Sequence, residues 1–124
     1  MLSKEDMLKS AYEQFDVLRN DFYNQNVNKE CYEGCCGGSW HLDLSLKDGL
    51  SKDEIEKECN EALTLCKEIY GKEPSRIEVN DNEKRYYFDC MWVYEEYYFA
   101  LHCSYTYNRD KYDNNEISVT WGVD

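Results

Sequence analysis

Basic residues are scarce in this chain of 124 residues, in which 14 Lys and Arg stand against 26 Asp and Glu and the formal charge is −12. A protein that binds nucleic acid through phosphates needs lysine and arginine to displace the condensed counterions. The same shortage disfavours docking on anionic membranes, which attract basic segments. The composition therefore excludes a nucleic-acid binder driven by counterion release, and it favours a partner that is itself basic.

Long apolar runs are also missing. No stretch approaches the roughly 20 residues that cross a bilayer, and the segment from Met1 to Asp6 lacks the apolar region of a signal peptide. The chain has one proline, and neither an internal repeat nor a linker divides it. We therefore expect one domain over residues 1–124, soluble and cytoplasmic, in the host cytoplasm if a phage encodes it.

Aliphatic side chains are few, and with this net charge such a shortage is typical of disordered chains. Twelve tyrosines and three tryptophans overturn that interpretation, because each aromatic side chain can bury about 150–250 Å². Tyrosine is also enriched in protein interfaces. The composition predicts a folded protein with an amphipathic surface.

Seven cysteines in a chain without a secretory signal predict reduced thiols, since an odd number cannot all pair within the chain. Three thiols and an imidazole, those of Cys31, Cys35, Cys36 and His41, are weak candidates for a zinc site. Adjacent Cys35 and Cys36 strain a tetrahedral arrangement, and the spacing fits no standard zinc knuckle. The alternative is a glycine-rich loop with incidental thiols, followed by a strand that exposes His41.

The first of two amphipathic helices is predicted at residues 4–24, where apolar residues recur every three or four positions. Ser3 and Asp6 resemble a capping box in which aspartate replaces glutamate. Asparagines at positions 24, 26 and 28 then break the periodicity.

The second helix begins at Ser51 and Glu54, which form a complete capping box. Its apolar stripe includes Cys59 and Cys66, which we expect in the core as small hydrophobic side chains. Gly71, followed by a proline, ends the helix in the usual order.

Strict alternation of apolar and polar residues at 39–46 predicts a half-buried strand. Four further strands are predicted at 76–80, 85–93, 97–107 and 116–123. Because the helices and the sheet each need a covered face, we expect an α+β fold of order α-β-α-β-β-β-β, with two helices packed on one face of a mostly antiparallel five-stranded sheet. The unit at residues 39–80 predicts that its two strands are parallel neighbours with a right-handed crossover.

No catalytic motif occurs in the sequence. His102 and Cys103 are adjacent, but consecutive strand residues point to opposite faces and cannot form a nucleophile and base pair. Neither histidine accompanies a nucleophile elbow, and no glycine pattern that cradles phosphate is present. We predict that the protein is not an enzyme and uses no cofactor.

Carboxylates and tyrosines supply the candidate binding residues. Acids in the first turn of the second helix complement the helix dipole, but the run continues beyond that turn. A second group lies near the turn at residue 95, where exposed rings rimmed by acids would suit a groove lined with arginine and lysine. The alternatives for that sheet face are solvent or a second subunit, which would make a homodimer. The predicted partner-binding residues are Asp53, Glu54, Glu56, Glu58, Glu61, Asp89, Tyr94, Glu95, Glu96 and Tyr97.

These features favour an acidic binding or inhibitor protein that occupies a basic, nucleic-acid-binding site on a partner protein. In charge and size the chain resembles the small acidic inhibitors of phages and mobile elements, including anti-CRISPR proteins that present carboxylates where phosphates would lie. The resemblance is one of type, and it carries no residues over. An immunity protein that neutralises a basic nuclease toxin uses the same electrostatics. A third interpretation is a protein that sequesters a nucleotide-like ligand, provided that its few bases converge. These bases are Arg76, Lys84, Arg85, Arg109 and Lys111.

Overall fold

The computed structural model describes residues 3–23, 39–94, 97–107 and 115–123. In these segments the chain forms two helices and a five-stranded antiparallel sheet in the predicted order, so the α+β class is confirmed. The elements are α1 (Lys4–Tyr23), β1 (Ser39–Ser45), α2 (Lys52–Tyr70), β2 (Arg76–Asp81), β3 (Arg85–Tyr94), β4 (Tyr97–Thr106) and β5 (Glu116–Val123).

Local signals fix both ends of α2. The Glu54 backbone N–H donates to the Ser51 hydroxyl over 3.3 Å, and the Ser51 N–H donates to the Glu54 carboxylate over 3.2 Å. This capping box satisfies two backbone donors that the first turn leaves unpaired. At the other end Gly71 adopts the left-handed conformation, with φ 79°, and its N–H donates to the Lys67 carbonyl over 2.8 Å. Glycine reaches that conformation without a steric penalty, so the helix ends there.

The two helices are joined side by side by Lys4, the first residue of α1. Its Nζ lies 2.6 Å from Glu58 Oε2 and 3.0 Å from Glu61 Oε2, both on α2. Burial disfavours the Lys4 ammonium, but hydrogen bonds and charge attraction from the two glutamates prevail and raise its pKa. The pKa of Glu61 is lowered by the same contact. Part of the acidic run of α2 therefore serves helix packing.

The strand order across the sheet is β1-β5-β4-β3-β2, and every neighbouring pair is antiparallel. The expected parallel pairing of β1 with β2 is wrong, because these strands form the two opposite edges. Strands β2 to β5 follow one another as antiparallel neighbours, so the free edges of this meander lie at β2 and β5, and β1 occupies the one at β5. Seven residues of β1, from Ser39 to Ser45, pair with β5 in that position.

One face of the sheet forms the core with the apolar stripes of both helices. Strand alternation directs every second residue toward the helices, and the cysteines Cys59 and Cys66 of α2 are buried against them, as predicted. The helix-facing sheet residues that are buried are Tyr86, Phe88, Cys90, Trp92, Tyr97, Phe99, Leu101, Cys103, Tyr105, Ile117, Val119 and Trp121.

The helix layer covers four of the five strands. Helix α1 packs over β1 and β5, and α2 packs over β3 and β4. Strand β2 extends beyond α2, and all of its residues except Asp81 are exposed. On the helix-facing side, Ile77 and Val79 keep 48% and 54% of their surface exposed. The sheet therefore ends in a strand that neither helix covers.

Candidate functional site

The acidic run on α2 divides into engaged and available carboxylates. Glu54 belongs to the capping box, while Glu58 and Glu61 pair with Lys4. Asp53 is exposed and Glu56 is half-buried. For these two, no cation in the described part of the chain lies within ion-pair distance. Of the five predicted residues on this helix, Asp53 and Glu56 are thus the ones left to meet a partner.

The amino-terminal end of α2 meets the end of the β2–β3 hairpin. Lys52 Nζ lies 3.0 Å from Asp81 Oδ2, and the Tyr107 hydroxyl donates to Asp81 Oδ1 over 3.1 Å. Burial, the hydrogen bond to Asp81 and the charge of Glu56 raise the pKa of Tyr107 to about 12. We call Asp53, Glu56 and Asp81 the acidic corner. It brings together carboxylates from the start of α2 and the end of β2, two consecutive elements.

Asp89 lies on the face of the sheet opposite the helices, in contact with two basic side chains. Its Oδ1 is 2.6 Å from Nδ1 of His102, and its Oδ2 is 3.5 Å from Arg76 Nη2. Arg76 Nε also lies 3.8 Å from Glu78. Asp89, His102 and Glu78 line a shallow depression of about 410 Å³, to which Tyr87 and other residues contribute. Asp89 is therefore part of a local charge network and is less available than its position in the sequence suggested.

Sequence reasoning missed the contact between Asp89 and His102, although a signal was present. Tyr94 pairs with Tyr97, and counting back along both strands from this pair sets Asp89 directly opposite His102. Residues that face each other across an antiparallel pair have Cβ atoms about 4.5–5.5 Å apart. The register alone would have predicted the pair.

Six of the eight tyrosines whose burial the structure describes lie in the core or pack against it, which corrects the expected aromatic surface. Tyr97 is 1% exposed, because it shares the strand phase of Phe99 and Leu101 and faces the helices. Its ring is therefore not presented to a partner. On the opposite face Tyr87 is 40% exposed and Tyr98 is half-buried. The side chain of Tyr94, and the residues Glu95 and Glu96, lie outside the described part of the chain.

Three of the four weak zinc candidates, Cys31, Cys35 and Cys36, also lie outside the described residues. The fourth, His41, is exposed on β1 with its Nε2 3.6 Å from Asp43 Oδ2. In the segments that the structure describes, no three His, Cys, Asp or Glu side chains are grouped as metal ligands.

The four cysteines of the described segments, Cys59, Cys66, Cys90 and Cys103, are buried free thiols. Burial raises the pKa of Cys66 and of Cys90 to about 12. A thiol with so high a pKa is protonated at neutral pH and is a poor nucleophile. These side chains act as core residues.

Three of the five candidate bases, Arg76, Lys84 and Arg85, lie among the described residues, and they do not converge. Arg76 lies near one end of the β2–β3 hairpin and contacts Asp89, whereas Lys84 and Arg85 lie at the turn that closes the other end. With a rise of about 3.3 Å per residue, the two ends of β2 are roughly 16 Å apart. Arg109 and Lys111 are outside the described residues. Arg76, Lys84 and Arg85 thus form no shared anion site.

Comparison with known proteins finds no similar family: no family model matches the chain, and neither a curated protein nor a solved structure is significantly similar to it. Within the part of the chain that the structure describes, neither helix combines the length and the apolar character that crossing a membrane requires.

Proposed function

We propose that this chain is an acidic binding protein that occupies a basic site on a partner protein, of the kind that otherwise holds nucleic acid. The observation that carries the proposal is the acidic corner, where Asp53 and Glu56 remain without an ion-pair partner among the described residues and Asp81 lies beside them. The net charge of −12 adds a long-range attraction toward a basic surface. The proposal extends to an inhibitor of the anti-CRISPR type, in which carboxylates take the place of phosphates.

Recognition at the acidic corner would follow from charge and geometry. Helix α2 holds Asp53 and Glu56 one turn apart, and Asp81 of the hairpin lies beside them, paired with Lys52. Arginine binds carboxylates through paired hydrogen bonds, so a groove that normally holds successive phosphates would accept this arrangement. Rim charges mainly accelerate association and make binding dependent on salt.

A paired charge reversal tests the proposal. The Asp53→Lys/Glu56→Lys variant should bind a fluorescent nona-arginine peptide more weakly than the wild type by roughly tenfold, with a shallower dependence on salt. The matched control is Glu13→Lys/Glu68→Lys, which changes the net charge by the same amount at exposed positions elsewhere on the helices. Equal weakening in both variants would show that only net charge matters, and the proposed site would be abandoned.

The two alternative functions differ in how the structure supports them. An immunity protein for a basic nuclease toxin would use the same acidic surface, so the partner's identity decides between an inhibitor and an antidote. Co-expression with a basic nuclease and recovery of nuclease activity after removal of this chain would favour the antidote. A nucleotide-sequestering role draws no support from Arg76, Lys84 and Arg85, because Arg76 lies at the opposite end of the β2–β3 hairpin from the other two.

A further inference from the structure

We infer that the free edge of β2 is a docking site for an extended segment of the partner, which adds to the sheet as a further strand. This inference deepens the proposed function and rests on it, because it assumes a basic partner and states how that partner binds. It starts from the position of β2 at the edge of the sheet, where β3 is its one bonded neighbour among the described strands.

The backbone of β2 offers hydrogen-bonding groups to solvent. Residues of an antiparallel strand alternate between those bonded to the neighbour and those directed away from it. The Asn82 N–H donates to the Arg85 carbonyl over 2.9 Å, which fixes the phase of this alternation. Ile77 and Val79 therefore direct their N–H and C=O groups away from β3. An added strand would pair with these groups, as extended peptides do at the open edges of other sheets.

The side chains of β2 protect this edge only in part. Native edge strands are blunted by charged side chains, especially lysine, by proline within the strand or by a covering element. Strand β2 has charged residues but no lysine or proline, and on the side toward the helices Ile77 and Val79 are both about half exposed. On the other side Glu78 faces Asp89 across the β2–β3 pair, and Arg76 lies 3.8 Å from Glu78 and 3.5 Å from Asp89. The edge thus combines an apolar strip on one face with a charged surface of both signs on the other.

Charge decides which segment would occupy the edge. A second copy would bring another net charge of −12, and antiparallel self-pairing centred on Glu78 would place two Glu78 side chains opposite each other. A register centred on Val79 would instead set Asp81 against Ile77, and one centred on Ile77 would pair Arg76 with Glu78. The obstacle common to every register is the repulsion between two acidic chains. A segment of another protein that alternates apolar and basic residues avoids this repulsion, since its apolar side chains cover Ile77 and Val79 while its basic ones face Glu78.

The edge is continuous with the acidic corner, because Asp81 is both the last residue of β2 and a member of that corner. A segment bound along β2 would leave the sheet beside Glu56 and Asp53. The partner's strand and its basic groove would therefore contact one continuous surface.

The test uses a short fluorescent peptide that alternates lysine and valine, compared with the same peptide carrying glutamate in place of lysine. We expect the lysine peptide to bind the wild-type protein, to shift the backbone amide signals of residues 76–81 in NMR spectra, and to exceed the glutamate peptide in affinity. Val79→Pro removes one outward N–H and leaves the bonds to β3 in place, so it should weaken binding roughly tenfold.

Two further variants keep the test decisive. Val79→Lys changes an exposed side chain, leaves the backbone donor intact, and should also weaken binding if Val79→Pro fails to fold. Ser45→Pro is the matched control, because the Leu46 N–H donates to Asn115 and the N–H of Ser45 accordingly points away from β5 at the other edge. Binding by Ser45→Pro should equal that of the wild type.

Four results would overturn the inference. They are equal binding by Val79→Pro and Ser45→Pro, shifts confined to residues outside β2, a β2-mediated dimer in sedimentation experiments, and no binding of the lysine peptide at millimolar concentration. If nona-arginine binding depends on Asp53 and Glu56 but binding of the lysine peptide is unchanged in Val79→Pro, the proposed function stands and the strand docking fails. Loss of both dependences would reject the two proposals together.

Discussion

At the scale of single residues, the chain uses tyrosine where other proteins use aliphatic side chains. A buried phenol supplies a large apolar ring, but its hydroxyl must find a partner. Tyr105 is 1% exposed, and its hydroxyl donates to the Lys47 carbonyl over 2.8 Å and accepts from the Leu50 N–H over 2.9 Å. This one side chain thereby ties the loop between β1 and α2 to the centre of the sheet.

Tyr105→Phe should destabilise the fold by about 1–3 kcal/mol, because it leaves a carbonyl and an N–H of a partly buried loop without their partner. Urea unfolding followed by circular dichroism measures the change. The control is Tyr87→Phe on the exposed face, for which we expect a change within about 0.5 kcal/mol. A loss at Tyr105 no larger than that at Tyr87 would contradict the structural role of the hydroxyl.

At the scale of elements, residue patterns predict those features that neighbouring residues in the sequence determine, such as caps, helix ends and strands. The capping box at Ser51, the stop at Gly71 and the strands after Pro74 are local features, and the structure confirms them. Strand β1 pairs with β5, although the edge at β2 is also open, and no local pattern encodes that choice.

The same limit applies to the candidate site. That the run starting at Asp53 is acidic can be read from the sequence, but Lys4 neutralises part of it from a helix that is more than 50 residues away. The prediction that Tyr97 contacts a partner was wrong, because the register of a strand with its neighbours sets which of its faces points inward. Knowing where the turns lie would have settled that register.

The contact between α1 and α2 predicts how pH affects stability. Because Lys4 lowers the pKa of Glu61 below its ordinary value of 4.5, the contact stabilises the folded state above that pH and the contribution is lost as pH falls through the lowered pKa. The raised pKa of Lys4 preserves the contribution until pH rises past its ordinary value of 10.5. Lys4→Met should therefore differ from the wild type most between these limits.

Unfolding free energies at pH 3, 7 and 9 would check this prediction, with Lys9→Met as the control. Lys9 pairs with Glu5 within α1 and is exposed, so its removal should have little effect at any pH. A constant difference between Lys4→Met and the wild type from neutral to acidic pH would show that the ion pair adds nothing beyond packing.

At the scale of the whole molecule, the surplus of carboxylates opposes folding. A net charge of −12 repels itself in the compact state. The thermal unfolding midpoint should rise when sodium chloride increases from about 20 to 300 mM, because the ions screen this repulsion. The rise should be smaller in both charge-reversal pairs, Asp53→Lys/Glu56→Lys and Glu13→Lys/Glu68→Lys. A midpoint that is insensitive to salt would mean that repulsion between the carboxylates does not destabilise the folded state.

Because β2 extends beyond both helices, the proposed docking surface is separate from the core that holds the molecule together. The core lies under α1 and α2, and Ile77 and Val79 contribute little to it because half of each side chain is in water. Substitutions in β2 therefore change the free energy of unfolding little. Chains with the same helices and inner strands can carry different β2 sequences, and with them a different docking surface.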